Sequence, residues 1–114
     1  MPLGRVRTRS AFRTLRQHGR RARSGALVVT FTPPESGSPT GPCVAFAIGR
    51  QVGTAVVRNR VRRRLRAAAR ELTPPAGNYL VSTNPSAARA SYAELRDDLA
   101  RALDLLTTTG GVGP

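Results

Sequence analysis

The chain has 114 residues, enough for one domain with a modest core, since 39% of the residues are apolar and 4% aromatic. Its 19 basic residues are all arginine, and with only six acids they give a formal net charge of +13. So large an excess of one sign repels itself in the folded chain and predicts a polyanionic partner.

Other composition features exclude several classes of protein. A single cysteine, Cys43, allows no internal disulfide, and His18 cannot build a metal site with it alone. No apolar run approaches the roughly 20 residues that span a membrane. The positive N-terminus is not followed by an apolar stretch, so it does not resemble a signal peptide. We therefore expect a cytoplasmic protein without structural zinc.

The arginines are concentrated in two blocks. Residues 1–24 and 50–70 each contain eight arginines and no acid, whereas 25–49 contain only Glu35. Residues 71–114 hold three arginines and the other five acids. Solubility alone does not require this segregation of two basic blocks around a nearly neutral middle.

The first half of the chain predicts a helix followed by two strands. The helix covers residues 10–19, with Ser10 as its cap and Gly19 at its end. The strands cover 26–32 and 43–49 and are joined by a loop rich in Pro, Gly and Ser.

The two strands predict a sheet with two unlike faces. Bulky residues alternate onto one face: Leu27, Val29, Phe31, Val44, Phe46 and Ile48. Small or hydroxylated residues dominate the other: Val28, Thr30, Thr32, Cys43, Ala45, Ala47 and Gly49. We expect helices to pack on the bulky face. The other face is either an open, shallow trough or the seat of a second helix.

A long helix is predicted over about 55–71, capped by Thr54 and stopped by Pro74 and Pro75. Its apolar stripe comprises Val57, Val61, Leu65, Ala68 and Leu72. The opposite side carries Arg58, Asn59, Arg62, Arg63, Arg66 and Arg70, with Arg60 and Arg64 flanking the stripe.

This helix is expected to bind phosphate. Arginines four residues apart repel each other, at a cost of roughly 0.2–0.5 kcal/mol per pair in an isolated helix. A solvated face, which is the alternative interpretation, would normally intersperse acids. Guanidinium groups instead fit phosphate oxygens as planar, two-pronged donors, and several on one helix release counterions on binding.

The C-terminal part predicts a strand over 78–83 and a final helix over about 92–106. Ser91 and Glu94 have the spacing of a capping box before that helix. We expect a single domain over 1–107 and a flexible tail over 108–114.

The sequence predicts no catalytic residue in this chain. A protein nuclease needs clustered carboxylates for divalent metals or a histidine base. All six acids lie outside the basic blocks, and His18 lies at the predicted end of a helix. No phosphate-binding glycine motif or nucleophile–histidine–acid set is present, and no metal site is predicted.

The stretch VGTAVVRNRVRRRLR, residues 52–66, resembles the signature of the bacterial ribonuclease P protein component. The order of predicted elements matches that family over about residues 8–106. The resemblance implies an α/β (α+β) two-layer sandwich with a small mixed sheet of about four strands. It also implies a left-handed strand–helix–strand crossover, a hand that periodicity alone does not predict.

The resemblance further implies a function. The chain would be the protein subunit of a ribonucleoprotein that removes the 5′ leader from precursor tRNA, an endoribonuclease whose catalyst is the RNA subunit with Mg²⁺. The protein would bind that RNA and the single-stranded leader, improving substrate affinity and metal use. No membrane or DNA partner is implied.

Two sets of residues carry over by position. The RNA-binding set is Arg58, Asn59, Arg60, Arg62, Arg63, Arg66 and Arg70. The leader-cleft set is Phe12, Val28, Thr30, Ala47 and Arg50. Asn59 could equally be an ordinary exposed residue, and composition alone favours a core position for Phe12.

The sequence departs from the family pattern in the cleft. Arg16 and Thr30 stand where the family commonly has aromatic residues, and Ala47, Gly49 and Gln51 replace small polar and lysine residues. We therefore expect weaker stacking and a larger share for arginine. The main alternative is a ribosomal or general structural RNA-binding protein. A DNA-binding module or a membrane-surface helix fits the predicted elements less well.

Overall fold

The structure is a computed structural model that describes residues 3–6, 8–34 and 41–112, without the side chains of 108–112. Its helices are α1 (Arg9–His18), α2 (Ala55–Leu72) and α3 (Tyr92–Val112). Its strands are β1 (Arg20–Ser24), β2 (Leu27–Thr32), β3 (Pro42–Ala47) and β4 (Gly77–Thr83). Short 3-10 turns cover Arg50–Val52 and Pro85–Arg89.

The strands form one mixed sheet in the order β1-β2-β4-β3. β2 pairs antiparallel with β1 and with β4, whereas β3 and β4 are parallel. Because parallel neighbours need a crossover connection, α2 links them. The predicted α/β class with a four-stranded mixed sheet is confirmed.

One sheet face, here called the core face, packs against α2 and α3. The bulky strand residues lie there as predicted, and Leu27, Val29 and Val81 are at most 1% exposed. The helices contribute Val61, Leu65, Ala68, Leu95, Leu99 and Ala102 to the same cluster. Burying these side chains supplies most of the driving force for folding.

The opposite face, here called the outer face, is partly covered by α1. A Cβ atom on Gly19 would collide with the side chain of Thr30 and with the carbonyl of Leu15, so only glycine lets α1 end this close to β2. Thr30 is consequently buried, Thr32 further along β2 is also buried, and Ala47 stays exposed. Each of the two predicted alternatives therefore describes one part of this face: α1 packs on the part at Thr30, and the part at Ala47 is open.

The predicted cap of α1 is wrong. Thr8 is the N-cap, and its Oγ1 accepts a hydrogen bond from the Ala11 N–H at 3.0 Å. Ser10 lies inside the helix, where its carbonyl accepts a bond from the Thr14 hydroxyl. The pattern misled because both residues are good caps and the choice depends on where the chain turns.

The other helix ends follow the sequence more closely. The Thr54 hydroxyl caps α2 by accepting from the Val57 N–H, and α2 ends at Leu72 before a left-handed Thr73. The capping box of α3 is confirmed. α3 continues to Val112, beyond the predicted end, and residues 113–114 of the predicted tail lie outside the described residues.

Candidate RNA interface

The α2 arginine face, formed by the residues Arg58, Asn59, Arg62, Arg63, Arg66 and Arg70, lies away from the buried stripe of the helix. Val61, Leu65 and Ala68 are fully buried beneath it. Asn59, Arg63 and Arg70 are exposed, and Arg58, Arg62 and Arg66 are half-buried along one flank. The predicted RNA-binding residues on α2 therefore share one helix side, with Arg60 half-buried at its other flank.

Neutral partners hold several of these guanidinium groups. The Arg62 Nη1 donates to the Asn59 Oδ1 at 2.9 Å. Arg66 lies over the Phe46 ring, 5.7 Å from its centroid, which is a cation–π contact. Asn59 therefore positions an arginine in addition to being exposed. None of these contacts cancels the positive charge.

Within the described part of the chain, no acid forms an ion pair with the α2 arginine face. The ion pairs found there involve Arg96 with Glu71 and Asp97, and Arg101 with Asp98. In addition, Arg58 Nε and Arg60 Nε are buried without a hydrogen-bond partner.

The N-terminal segment adds a further arginine that the sequence did not single out. Gly4 pairs with the edge of β3, since its N–H donates to the Pro42 carbonyl at 2.9 Å and its carbonyl accepts from the Val44 N–H at 3.0 Å. This pairing brings Arg5 to a small cavity that Arg66 and Arg70 also line. No local pattern signals it, because the pairing is long-range.

The predicted leader-cleft residues lie on or beside the outer face. Val28 is half-buried and Ala47 exposed, and strand register places both on that face with the buried Thr30. Arg50 is exposed just beyond β3. Thr30 is only 4% exposed beneath α1, so its side chain offers almost no surface to a ligand.

Phe12 is half-buried on α1. It lines an open depression together with Arg9, Arg13, Arg16 and Gln17. An aromatic ring surrounded by arginines is the combination that single-strand binders use, with the ring stacking on a base and the cations following the backbone. The surroundings of Phe12 therefore favour contact with a ligand over a purely core position.

The described residues bring together no group of three His, Cys, Asp or Glu side chains that could hold a metal ion. No helix among them is long and apolar enough to cross a membrane. The chemistry that the site offers is the binding of phosphate by guanidinium groups, with one accessible ring for a base.

Known proteins are similar to this chain in sequence. The family model Ribonuclease P matches residues 3–107. A ribonuclease P protein component of Thermobifida fusca is 42% identical over 118 residues, covering 96% of this chain and 80% of the relative. Its counterpart from Acidothermus cellulolyticus is 42% identical over 108 residues, covering 92% of this chain and 89% of the relative.

Solved structures agree on the fold. The RNase P protein of Staphylococcus aureus superposes with a TM-score of 0.79 at 16% identity, covering 90% of this chain and 94% of that one. The RNase P protein of Thermotoga maritima gives 0.73 at 20% identity, covering 85% and 92%. At these identities the likeness concerns the fold alone.

Proposed function

The chain belongs to the family of ribonuclease P protein components, and from this premise we propose that it is the protein subunit of a ribonucleoprotein that removes the 5′ leader from precursor tRNA. The α2 arginine face carries this proposal. It gathers positive charge on a rigid helix, and no described acid pairs with it. Its partner in the proposal is the RNA subunit of the enzyme.

The leader would lie on the outer face beside α1. Where α1 leaves that face uncovered, its surface consists of small or half-buried side chains, including Val28 and Ala47. Arg50 lies just beyond the end of β3. Phe12 offers a ring for stacking, a contact worth roughly 1–3 kcal/mol per base in single-strand binders. Because Arg16 and Thr30 provide no second ring here, arginine contacts carry more of the affinity.

Cleavage in this proposal belongs to the RNA. The described side chains do not fit a protein-only metal site, so we assign the Mg²⁺ of the assembled enzyme to the RNA subunit. Such an ion activates water and offsets charge that develops on the phosphate. The protein contributes affinity and orientation, and its neutralisation of phosphates lowers the Mg²⁺ concentration that the RNA needs.

The test is cleavage of precursor tRNA at low Mg²⁺ by a bacterial ribonuclease P RNA, with and without this protein. We expect cleavage only when both are present, and none from the protein alone. Cleavage by the protein alone would overturn the assignment of catalysis to RNA. No stimulation of a well-matched RNA, together with tight binding to ribosomal RNA, would favour a structural RNA-binding protein instead.

A further inference from the structure

One row of side chains crosses the whole outer face. Ala47 on β3 pairs with Ser82 on β4, Ser82 with Val28 on β2, and Val28 with Arg23 on β1. Directly paired residues point to the same side of a sheet, so these four form a continuous cross-strand row. Three strand spacings of about 4.8 Å make the row roughly 14 Å long.

This cross-strand row is open to solvent. Ala47 and Arg23 are exposed at its two ends, and Ser82 and Val28 are half-buried between them. The next row along the strands contains Thr30, which α1 buries. A shallow strip of surface, here called the lane, therefore runs beside α1 and crosses all four strands, with Ala47, Ser82 and Val28 at its base and Arg23 at its β1 end.

Two arginines that the predicted cleft does not include lie on β1: Arg23 ends the lane, and Arg21 lies beside it at the end of the next row, where it pairs with Thr30. Arg21 and Arg23 are both exposed, whereas Ala22 between them is buried on the core face. Within the described ranges, neither guanidinium makes a hydrogen bond or an ion pair. By contrast, the neighbouring Arg20 lies on the core side and donates to the Leu106 carbonyl of α3.

We propose that Arg21 and Arg23 form the distal end of the leader site, where they bind the phosphate backbone of leader nucleotides that have crossed the sheet. This inference rests on the proposed leader binding and extends it by one strand. Single-stranded RNA fits because it can lie flat on a shallow floor while guanidinium groups hold its phosphates.

The direction of the path follows from the position of α2. Arg50 begins the short turn that leads into α2, and the proposed function places the catalytic RNA against α2. A leader leaving that centre meets Arg50 and Ala47 first and reaches Arg23 last. Arg21 and Arg23 therefore act only on leaders long enough to cross the lane.

A different role for these arginines is protection of the sheet edge. β1 is an edge strand, and charged side chains on edge strands discourage pairing with other chains. That role predicts self-association when the charges are removed and no dependence on the length of the leader. The two roles can therefore be separated by experiment.

The experiment measures the affinity of the assembled enzyme for precursor tRNAs whose leaders lengthen one nucleotide at a time. The variant is Arg21→Gln with Arg23→Gln. The control, Arg96→Gln with Arg101→Gln, removes the same charge from α3, which covers the core face. It also removes ion pairs with Glu71 and Asp98 and a contact with Ser24, so it is a stringent control for the loss of charge. With long leaders we expect the variant to lose about tenfold in affinity, and its salt slope to fall by about 0.7 per arginine.

With a leader too short to cross the lane, the variant should match the unmodified protein, which also shows that it folds and assembles. Arg21→Lys with Arg23→Lys should keep most of the affinity gained from a long leader, because it keeps the charge. If the unmodified protein gains affinity with leader length and the glutamine variant gains equally, our inference is wrong while leader binding stands. If affinity never depends on the leader, the proposed leader binding fails as well.

Discussion

At the residue scale, Asn59 illustrates how this chain organises charge without neutralising it. An acid at this position would pair with Arg62 and consume one of the charges that the α2 arginine face presents. The amide oxygen accepts from Arg62 at 2.9 Å but leaves the guanidinium positive and its other donors free. An exposed Asn in a run of arginines therefore preserves affinity for phosphate while restricting one arginine.

Glu94 gives a prediction about acid stability. Its carboxylate accepts from the Ser91 N–H at 2.9 Å, and hydrogen bonds from Ser91 lower the Glu94 pKa. A lowered pKa in the folded state adds stability above the ordinary pKa, and this stability is lost as pH falls through the folded value. We expect Glu94→Gln to lose less stability on acidification than the unmodified protein, measured by urea unfolding across acidic pH.

Asp104→Asn removes the same charge from α3 and serves as the control for the Glu94 measurement. It should leave the acid-side slope closer to that of the unmodified protein. Identical slopes for the Glu94 variant and the unmodified protein would show that the capping box does not couple folding to pH.

Tyr79 gives the opposite pH dependence. It is 3% exposed, its hydroxyl donates to the Pro75 carbonyl at 2.7 Å, and burial raises its pKa to about 12. A raised folded pKa means that its contribution is complete below the ordinary value near 10 and is lost between about pH 10 and 12. Tyr79→Phe should cost about 1 kcal/mol near neutrality and reduce the alkaline fall in stability.

Thermal or urea unfolding at neutral and alkaline pH measures the Tyr79 effect. Tyr92→Phe, a half-buried tyrosine on α3, is the matched control. Parallel curves for Tyr79→Phe and the unmodified protein on the alkaline side would contradict the role given to burial.

At the scale of elements, α2 carries a run of arginines that costs helix stability and that the proposed function uses to bind RNA. Arg58, Arg62, Arg66 and Arg70 follow one another at intervals of four, and each such pair repels. Replacing Arg58 and Arg62 together by Ala should therefore weaken RNA binding without lowering the free energy of unfolding of the protein alone. The salt slope for the RNA subunit should fall by about 0.7–0.9 for each phosphate that the variant no longer neutralises.

Filter binding across a salt series, beside urea unfolding, tests the α2 prediction. The double change of Arg96 and Arg101 to Ala is the control for RNA binding, because it removes equal charge from the helix that carries most of the acids. It is not a control for unfolding, because it also breaks ion pairs with Glu71 and Asp98. Unchanged affinity at moderate salt together with an unchanged slope would mean that the α2 arginine face does not contact RNA.

The elements also show where sequence reasoning stops. α2 could be predicted nearly to its ends because period, cap and proline stop agree locally. β1 could not, because its sequence RRARS buries only Ala22 and Ser24, which carry little apolar signal. Pairing with β2, and a turn in which Asp98 accepts from the Ala26 N–H at 3.2 Å, fix this strand through contacts distant in sequence.

The residues of the candidate site also differ in how far the sequence alone could place them. The arginines of α2 could be assigned to one face because a helical period is a local property. The burial of Thr30 could not be predicted from the sequence, because it depends on Gly19 letting α1 lie against β2. Arg5, Arg21 and Arg23 gain their places from strand pairing, which no pattern in a single sequence reveals.

At the scale of the whole molecule, most of the two basic blocks becomes surfaces on opposite sides of the sheet, and Arg5 of the first block joins the second at the cavity lined by Arg66 and Arg70. The first block forms α1 and β1, whose exposed arginines lie at the outer face, and the second forms α2. Most acids lie on α3, which covers the core face. An RNA that contacts both surfaces would pass around the β3 edge of the sheet. It would leave α3 uncovered.

The net charge of +13 leads to a last prediction, that multivalent anions stabilise the free protein. A radius of gyration of 13.4 Å is as compact as a neutral domain of this length, so folding brings the arginines together against their repulsion. Pyrophosphate bound to the folded state should raise the midpoint of thermal unfolding more than sodium chloride of equal ionic strength. An anion at 100 times its dissociation constant adds about 2.7 kcal/mol.

Equal gains from pyrophosphate and chloride would contradict this prediction, because screening alone would then explain the effect. The variant lacking Arg58 and Arg62 separates the two causes. Screening acts on the total charge, of which the variant keeps most, whereas bound anions need guanidinium groups held close together. We therefore expect the variant to keep its response to chloride and to lose much of its response to pyrophosphate, which would make α2 a preformed phosphate site and not only a region of high potential.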